Sequence, residues 1–192
     1  MNKYIPGILI GIGVGVASIF LLGWVFPGST SPVIYGTFIG AFVAYILSNL
    51  AGNRKLATVS GPEKDQALQL KPPPGKSLLV VCREGFVAKL AGLNLAVDGK
   101  QFAQLTSPKF TCLVLPPGPH TLTTGFAGLA GPQSQKGSYD FEAPADGFAA
   151  VRIGARIGAI QGVMSFKPMG DAQAVRAKLA SIPMVKADLA EI

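Results

Sequence analysis

Along its first fifty residues the chain shows no alternation of polar and apolar positions at all. Residues 4–26 (YIPGILIGIGVGVASIFLLGWVF) and 32–51 (PVIYGTFIGAFVAYILSNLA) contain no charged side chain. Each supplies the roughly 20 apolar residues that an α-helix needs to cross a bilayer core of about 30 Å. Only residues 27–31 (PGSTS) lie between them, enough for a tight turn. The pattern predicts a transmembrane helical hairpin over residues 1–51, from which the rest of the chain hangs. Small residues recur within it at multiples of four: Gly7, Gly11, Gly15 and Gly23 on the first helix, Gly36, Gly40, Ala44 and Ser48 on the second. Helices in lipid gain nothing hydrophobic by touching, so their contact depends on small residues that let backbones approach. The two stripes are expected to be packing surfaces, within the hairpin or against a partner helix. Phe20, Leu22, Phe38 and Phe42 are left for outward contacts. The apolar run after Lys3 exceeds the ~7–15 residues of a signal-peptide core. Phe26-Pro27-Gly28-Ser29 offers no small-residue cleavage pattern, so an anchor is expected.

Residues 52–75 are polar and close on Pro72-Pro73-Pro74. Consecutive prolines favour an extended polyproline conformation, so this segment reads as a Pro-rich polar tether. From residue 76 the texture changes to short strands punctuated by turn residues. Strands are expected at 77–83 (SLLVVCR), 93–97, 101–105, 109–115, 120–126, 138–142, 148–157 and 163–167. Asp98-Gly99 is a two-residue hairpin turn signal, because both residues tolerate positive φ. Val151, Ile153, Ala155 and Ile157 alternate with Arg152 and Arg156, which places the arginines on an outer face. Seven or eight strands at this spacing predict a mainly-β domain, a β-sandwich, over residues 76–192. It ends in a short amphipathic helix at 171–182, capped by Asp171, with Val175, Leu179 and Ile182 on its apolar face. That helix is expected to pack on the sandwich, a position on the membrane being the alternative.

The chain of 192 residues carries 17 basic and 10 acidic side chains, a net charge of +7. The positive residues are scattered rather than gathered into a stripe with aromatics, which argues against nucleic acid. An anionic lipid surface is the simpler partner. Arg54 and Lys55 are the expected membrane-surface residues, followed along the tether by Lys64, Lys71 and Lys76 and diluted by Glu63 and Asp65. Lys3 precedes the hairpin, Arg54 and Lys55 follow it, and the turn has no charge. Basic residues stay on the cytoplasmic side, so both termini and the β domain are expected there. Tyr4 and Trp24 sit near helix ends, where amphipathic rings favour the interface.

Candidate chemistry is sparse. Cys82 and Cys112 form no Cys-x-x-Cys pair, and His120 is the one histidine. A structural zinc takes four closely spaced ligands, so neither a metal nor another cofactor is expected. Both cysteines are in phase with apolar strand positions and read as small core residues. His120 directly follows a Pro-Pro-Gly-Pro turn and reads as a structural corner residue rather than a general base. Asp140, Glu142 and Asp146 come nearest to a carboxylate cluster, and read as exposed strand and loop positions. No nucleophile elbow or phosphate-cradling loop occurs, and Gly11-Ile12-Gly13-Val14-Gly15 lies inside the first apolar run. No catalytic residue is assigned.

Val97-Asp98-Gly99-Lys100, followed by Leu115-Pro116-Pro117-Gly118-Pro119-His120-Thr121-Leu122, carries a resemblance over residues 93–123. This hairpin, strand and Pro-Gly-x-His turn resemble those of bacterial PEGA-type modules and a related family of small lipoprotein-type β-sandwich domains. The Pro-Glu-Gly-Ala signature is absent, and a helical hairpin stands where those proteins have a lipid anchor. The resemblance implies a carboxypeptidase-regulatory-like sandwich, mostly non-catalytic, and transfers no site residue. Together these features lead to the expectation of a non-enzymatic, membrane-anchored interaction or scaffold protein of a bacterial inner membrane. It would be an accessory subunit whose partners are other integral membrane proteins and lipids. The alternative is a membrane-tethered module that binds a peptide, a lipid headgroup or a small ligand.

Overall fold

The computed structural model describes residues 2–128, 136–157 and 162–192, with residues 157 and 162 described by their backbone alone. The expected inward position of the Ile157 side chain therefore lies outside the described set. The chain divides into two compact units. The first holds α1 (Ile5–Val25) and α2 (Ser31–Leu50), both long and apolar enough to cross a membrane. Pro6 and Pro32 fall in the opening turns, where a missing N–H deprives the helix of nothing. Ala127 and Gly128 belong to this unit although they fall between strands of the β region in sequence. A Cβ on Gly52 would lie 2.3 Å from the Gly128 amide nitrogen, so the two backbones meet where no side chain fits.

The second unit starts at Arg54 and, among the described residues, contains ten strands and two short helices. In chain order these are β1 (Thr58–Val59), α3 (Pro62–Leu68), β2 (Ser77–Arg83), β3 (Leu93–Val97), β4 (Lys100–Leu105), β5 (Lys109–Leu115), β6 (Gly118–Phe126), β7 (Gly137–Ala143), β8 (Phe148–Ile157), β9 (Gly162–Pro168), α4 (Ala172–Leu179) and β10 (Met184–Val185). One sheet has the order β1-β10-β5-β2-β8-β9, the other β4-β3-β6-β7. The eight strands expected from sequence are all present. β1 and β10, two residues each, are too short to show a period and were not expected.

Between the sheets, Leu79, Val81, Leu113, Leu115, Val151 and Ile153 pack against Leu93, Leu95, Phe102, Leu105 and Leu122. The six-stranded sheet is covered on its other face as well. There Leu78, Val80, Cys82, Phe110 and Ala150 meet Val175 and Leu179 of α4, with Ile182, Val59 and Leu70. β2 lies between β5 (antiparallel) and β8 (parallel), and all seven of its residues are buried. This explains why its sequence is an unbroken apolar run, since a strand covered on both faces has no side left for polar residues. The Asp171 side chain accepts the Ala174 amide at 2.9 Å and starts α4, which packs on the sheet.

Residues 52–75 differ from the extended spacer read in the sequence. The β unit already begins at Arg54, and α3 and β1 are part of it. Val59 and Leu70 are buried, and Ala67 and Leu68 pack against the second core. Arg176 donates to the carbonyls of Leu68 and Gln69, both at 3.0 Å, and Lys64 donates to the Ala180 carbonyl at 2.8 Å. The few apolar residues of a polar segment are enough here because the sheet and α4 already supply the rest of the surface that they complete.

Asp98 and Gly99, at φ of 50° and 80°, make the two-residue turn between β3 and β4, with Val97 paired to Lys100. Positive φ at both positions gives the turn the twist of the strands it joins. Burial pushes the Cys82 thiol up to about 12 and raises that of the partly buried Cys112, so neither supplies a thiolate near neutral pH.

Thr111 is fully buried on β5, and its hydroxyl finds no hydrogen-bond partner among the described residues. An unsatisfied buried hydroxyl is a net cost, and valine has nearly the same shape. Thr111→Val should stabilise the protein by about 1 kcal/mol, measured by denaturant unfolding of the purified chain in mild detergent.

Candidate functional site: the helix seam and the His120 corner

Seven of the eight small residues singled out in the hairpin meet along one seam. A Cβ on Gly11 would lie 2.4 Å from the Ala44 Cβ and 2.6 Å from the Gly40 carbonyl oxygen. One on Gly40 would lie 2.7 Å from the Gly11 carbonyl oxygen, and one on Gly36 2.9 Å from that of Gly15. Gly15 faces Gly36 and Gly40, and Gly7 faces the Ser48 backbone at 3.0 Å from its would-be Cβ. The helices thus approach backbone to backbone along the seam, the geometry in which dispersion contacts are densest. Gly23, which shares the spacing, meets nothing within 4 Å and is no part of it. Ser48 is buried there by its smallness, although its hydroxyl has no partner among the described residues. Phe20, Phe38 and Phe42 point outward and are exposed, while Leu22 is half-buried.

In the β unit, Lys55 of the expected membrane-surface pair is exposed. Arg54 is exposed as well, and in addition its guanidinium pairs with Asp188 and its amide donates to Gln104 Oε1 at 2.6 Å. Lys76 pairs with Glu191 at 2.7 Å.

His120 stands on β6 next to the β3–β4 turn. Its Nδ1 is 2.6 Å from Asp98 Oδ2, and its Nε2 is 2.9 Å from the Pro116 carbonyl oxygen. Both partners are acceptors only, so a doubly protonated ring satisfies both and no ring lone pair is left free. Burial disfavours the cation, but the bonds to Asp98 and Pro116 and the charges of Asp98 and Glu142 outweigh it and raise the His120 pKa. For Asp98, burial opposes ionisation, and the Thr121 amide together with His120 more than reverses this, so its pKa is lowered. A general base needs an available lone pair within reach of a proton, and this ring offers none. Thr121 Oγ1 donates to Asp140 Oδ1 at 2.7 Å across the same surface. Asp140 and Glu142 share the outer face of β7, whereas Asp146 is a loop residue whose Oδ1 accepts the Gly75 amide at 2.6 Å. Asp140, Glu142 and Asp146 thus take the exposed strand and loop positions expected of them rather than forming a cluster. Among the described residues no group of three or more Asp, Glu, His or Cys side chains could hold a metal ion.

One charged group escaped the sequence reading. Arg83 closes β2 and is only 2% exposed, and among the described residues no carboxylate forms an ion pair with it. Nη1 donates to the carbonyls of Ala91 and Leu105, both at 2.5 Å, and Nη2 to that of Ala88 at 2.7 Å. Its guanidinium carbon lies 5.4 Å from the Phe126 ring centroid. Burial lowers its pKa to about 10, which still leaves it charged at neutral pH. The available signal was an arginine ending an otherwise apolar strand directly before Glu84-Gly85, where a solvated turn residue and a buried one look alike.

No protein-family model, curated protein or solved structure matches the chain.

Two outcomes follow from this geometry. Gly11→Leu should drive the helices apart, read as a longer interhelical distance between spin labels, whereas Gly23→Leu should leave that distance unchanged. The His120–Asp98 pair should contribute stability over a bounded pH window. A raised histidine pKa contributes fully below its unfolded value of about 6.5 and is lost as pH rises through the folded value. A lowered aspartate pKa contributes above about 3.9 and is lost as pH falls through the folded value. The benefit is greatest between these limits, and His120→Gln should flatten the alkaline side of a stability–pH profile.

Proposed function

We propose that this chain is a non-catalytic, membrane-anchored interaction protein, an accessory subunit of a larger membrane assembly. The observation that carries the reading is the division of labour in the hairpin. Its glycine seam is consumed by the contact between its own two helices, and bulky side chains occupy the faces turned away from it. Beside the seam runs an apolar groove of about 320 Å³, lined by Ile8, Ile12, Val16, Thr37 and Ala41. A third helix with small residues would fit along such a groove by the same close approach. The β unit adds no competing reading as an enzyme: its histidine is doubly engaged and its cysteine thiols are buried or raised in pKa.

Lys3 lies before the first helix and Arg54 and Lys55 after the second, with an uncharged turn between the helices. By the bias of basic residues toward the cytoplasm, the β unit faces the cytoplasm of a bacterial inner membrane. The resemblance of residues 93–123 to PEGA-type modules supports a sandwich used for contact rather than chemistry. The second reading, a tethered module for a peptide, headgroup or small ligand, has the shallow surface around Asp98, His120, Asp140 and Glu142 in its favour.

Extracted in mild detergent, the intact chain should co-purify with at least one other integral membrane protein, and Gly40→Leu should lose that partner while the β unit stays folded. If the wild-type chain runs alone and Gly40→Leu changes nothing, the ligand-binding reading takes the lead. A periplasm-active phosphatase fused after Ile192 should be inactive in intact cells; strong activity would reverse the orientation.

A further inference from the structure

We propose that the loop of residues 84–92 (EGFVAKLAG) is a second membrane contact, which inserts Phe86 and Leu90 into the headgroup region of an anionic bilayer. The proposal rests on the anchored reading of the two apolar helices. Phe86 is 89% exposed and Leu90 65%, more than any other large apolar residue identified as exposed in the β unit. The two belong to one short loop, so they form a patch rather than the scatter that any surface carries.

The loop is built, not slack. The Lys89 amide donates to the Phe86 carbonyl at 3.2 Å and the Ala91 amide to that of Ala88 at 3.0 Å. Ser107 pins it twice, its amide on the Lys89 carbonyl at 3.0 Å and its hydroxyl on the Gly85 carbonyl at 2.8 Å. Arg83 holds the Ala88 and Ala91 carbonyls from beneath. Ala88 is kept at φ 52°, a conformation an alanine avoids unless its surroundings impose it. So much support for a loop that presents two bare apolar side chains points to a use for their exposure.

Chain connectivity identifies the occupant. The second apolar helix ends at Leu50, and Arg54 is only four residues on, a span of at most about 14 Å. The Arg54 amide is bonded to Gln104. The neighbouring Leu105 carbonyl shares Arg83 Nη1 with Ala91 of the loop. The chain leaves the β unit a second time after Phe126, whose ring stacks on the same guanidinium. The two covalent junctions with the helical unit at Arg54 and Phe126 are thus tied, through Arg83, to this loop. Charge agrees with an anionic surface: Lys89 lies between the two apolar residues, and Lys109 follows Ser107-Pro108. The one carboxylate at the root, Glu84, is paired with Lys178 at 2.8 Å and faces Arg152 at 3.7 Å. Basic residues beside inserted aromatic and aliphatic ones are the pattern of interfacial anchoring.

The test uses the full chain in vesicles of mixed phosphatidylcholine and phosphatidylglycerol with brominated acyl chains, which quench indole fluorescence at short range. The chain's single tryptophan, Trp24, reports on the helices. In a Trp24→Phe background, Phe86→Trp and, independently, Leu90→Trp should show blue-shifted emission quenched by the brominated lipid, and adding Lys89→Glu should weaken that quenching. Emission typical of water, quenched by iodide and untouched by brominated chains at both positions, overturns the proposal. If Trp24 is quenched and the introduced indoles are not, the loop contact alone falls. If Trp24 is not quenched either, the anchored reading fails and the loop contact with it.

Discussion

The β unit depends on one strand having no exposed side. With β2 apolar from Leu78 to Cys82 and buried at every position, two layers must cover it, and the fold supplies both. The four-stranded sheet closes one face, and α4 with the segment carrying α3 closes the other. Pairing with β8 in parallel and β5 antiparallel then fixes the middle of the larger sheet. The cost arises at the strand's end, where Arg83 is carried into the interior with it. Deprived of water, its cation must find acceptors, and the carbonyls of the adjoining loop and of β4 provide them.

In the hairpin the constraint is of another kind. Water does not drive two apolar helices together within lipid, so the contact is only as good as its closest approach. Glycine at 11 and 15 facing 36 and 40 brings carbonyl oxygens to positions that a methyl group would occupy. A seam that close is taken up by the hairpin's own two helices. What the hairpin offers its neighbours is therefore a bulky outer face and the groove flanking the seam, along which a further helix can pack.

Most of the fold was legible because its elements have a recognisable period or length. Two uncharged runs of some twenty residues, the alternation in β8 and the Asp98-Gly99 turn each point to the helix, strand or turn that the structure shows. The segment 52–75 did not, because its contribution is collective. Val59, Ala67, Leu68 and Leu70 are too few and too irregularly spaced to announce a core, and they become one only beside α4 and a sheet assembled from distant residues. The same limit hid Arg83. Its carbonyl partners are five, eight and twenty-two residues away, and nothing local distinguishes it from the exposed Arg152. At the candidate sites, the stripe was readable as a spacing, but that Gly23 falls outside it is a matter of where the second helix ends up.

Arginine at the end of β2 has a chemical reason that lysine would not meet. The guanidinium spreads its charge over a plane and offers five donors in a fixed fork, so it can bind three carbonyls from different segments at once. Its pKa is lowered by burial only to about 10, and it remains a cation at every physiological pH. A lysine starts about two to three units lower, has three donors, and sheds its proton readily when desolvated. It would hold the loop less firmly and could leave the carbonyls without a charged partner near neutral pH. A permanently charged clamp is what lets nine residues with no secondary structure of their own keep Phe86 and Leu90 exposed. The rigidity of the loop and its apolar surface thus have one origin, the cation buried beneath it.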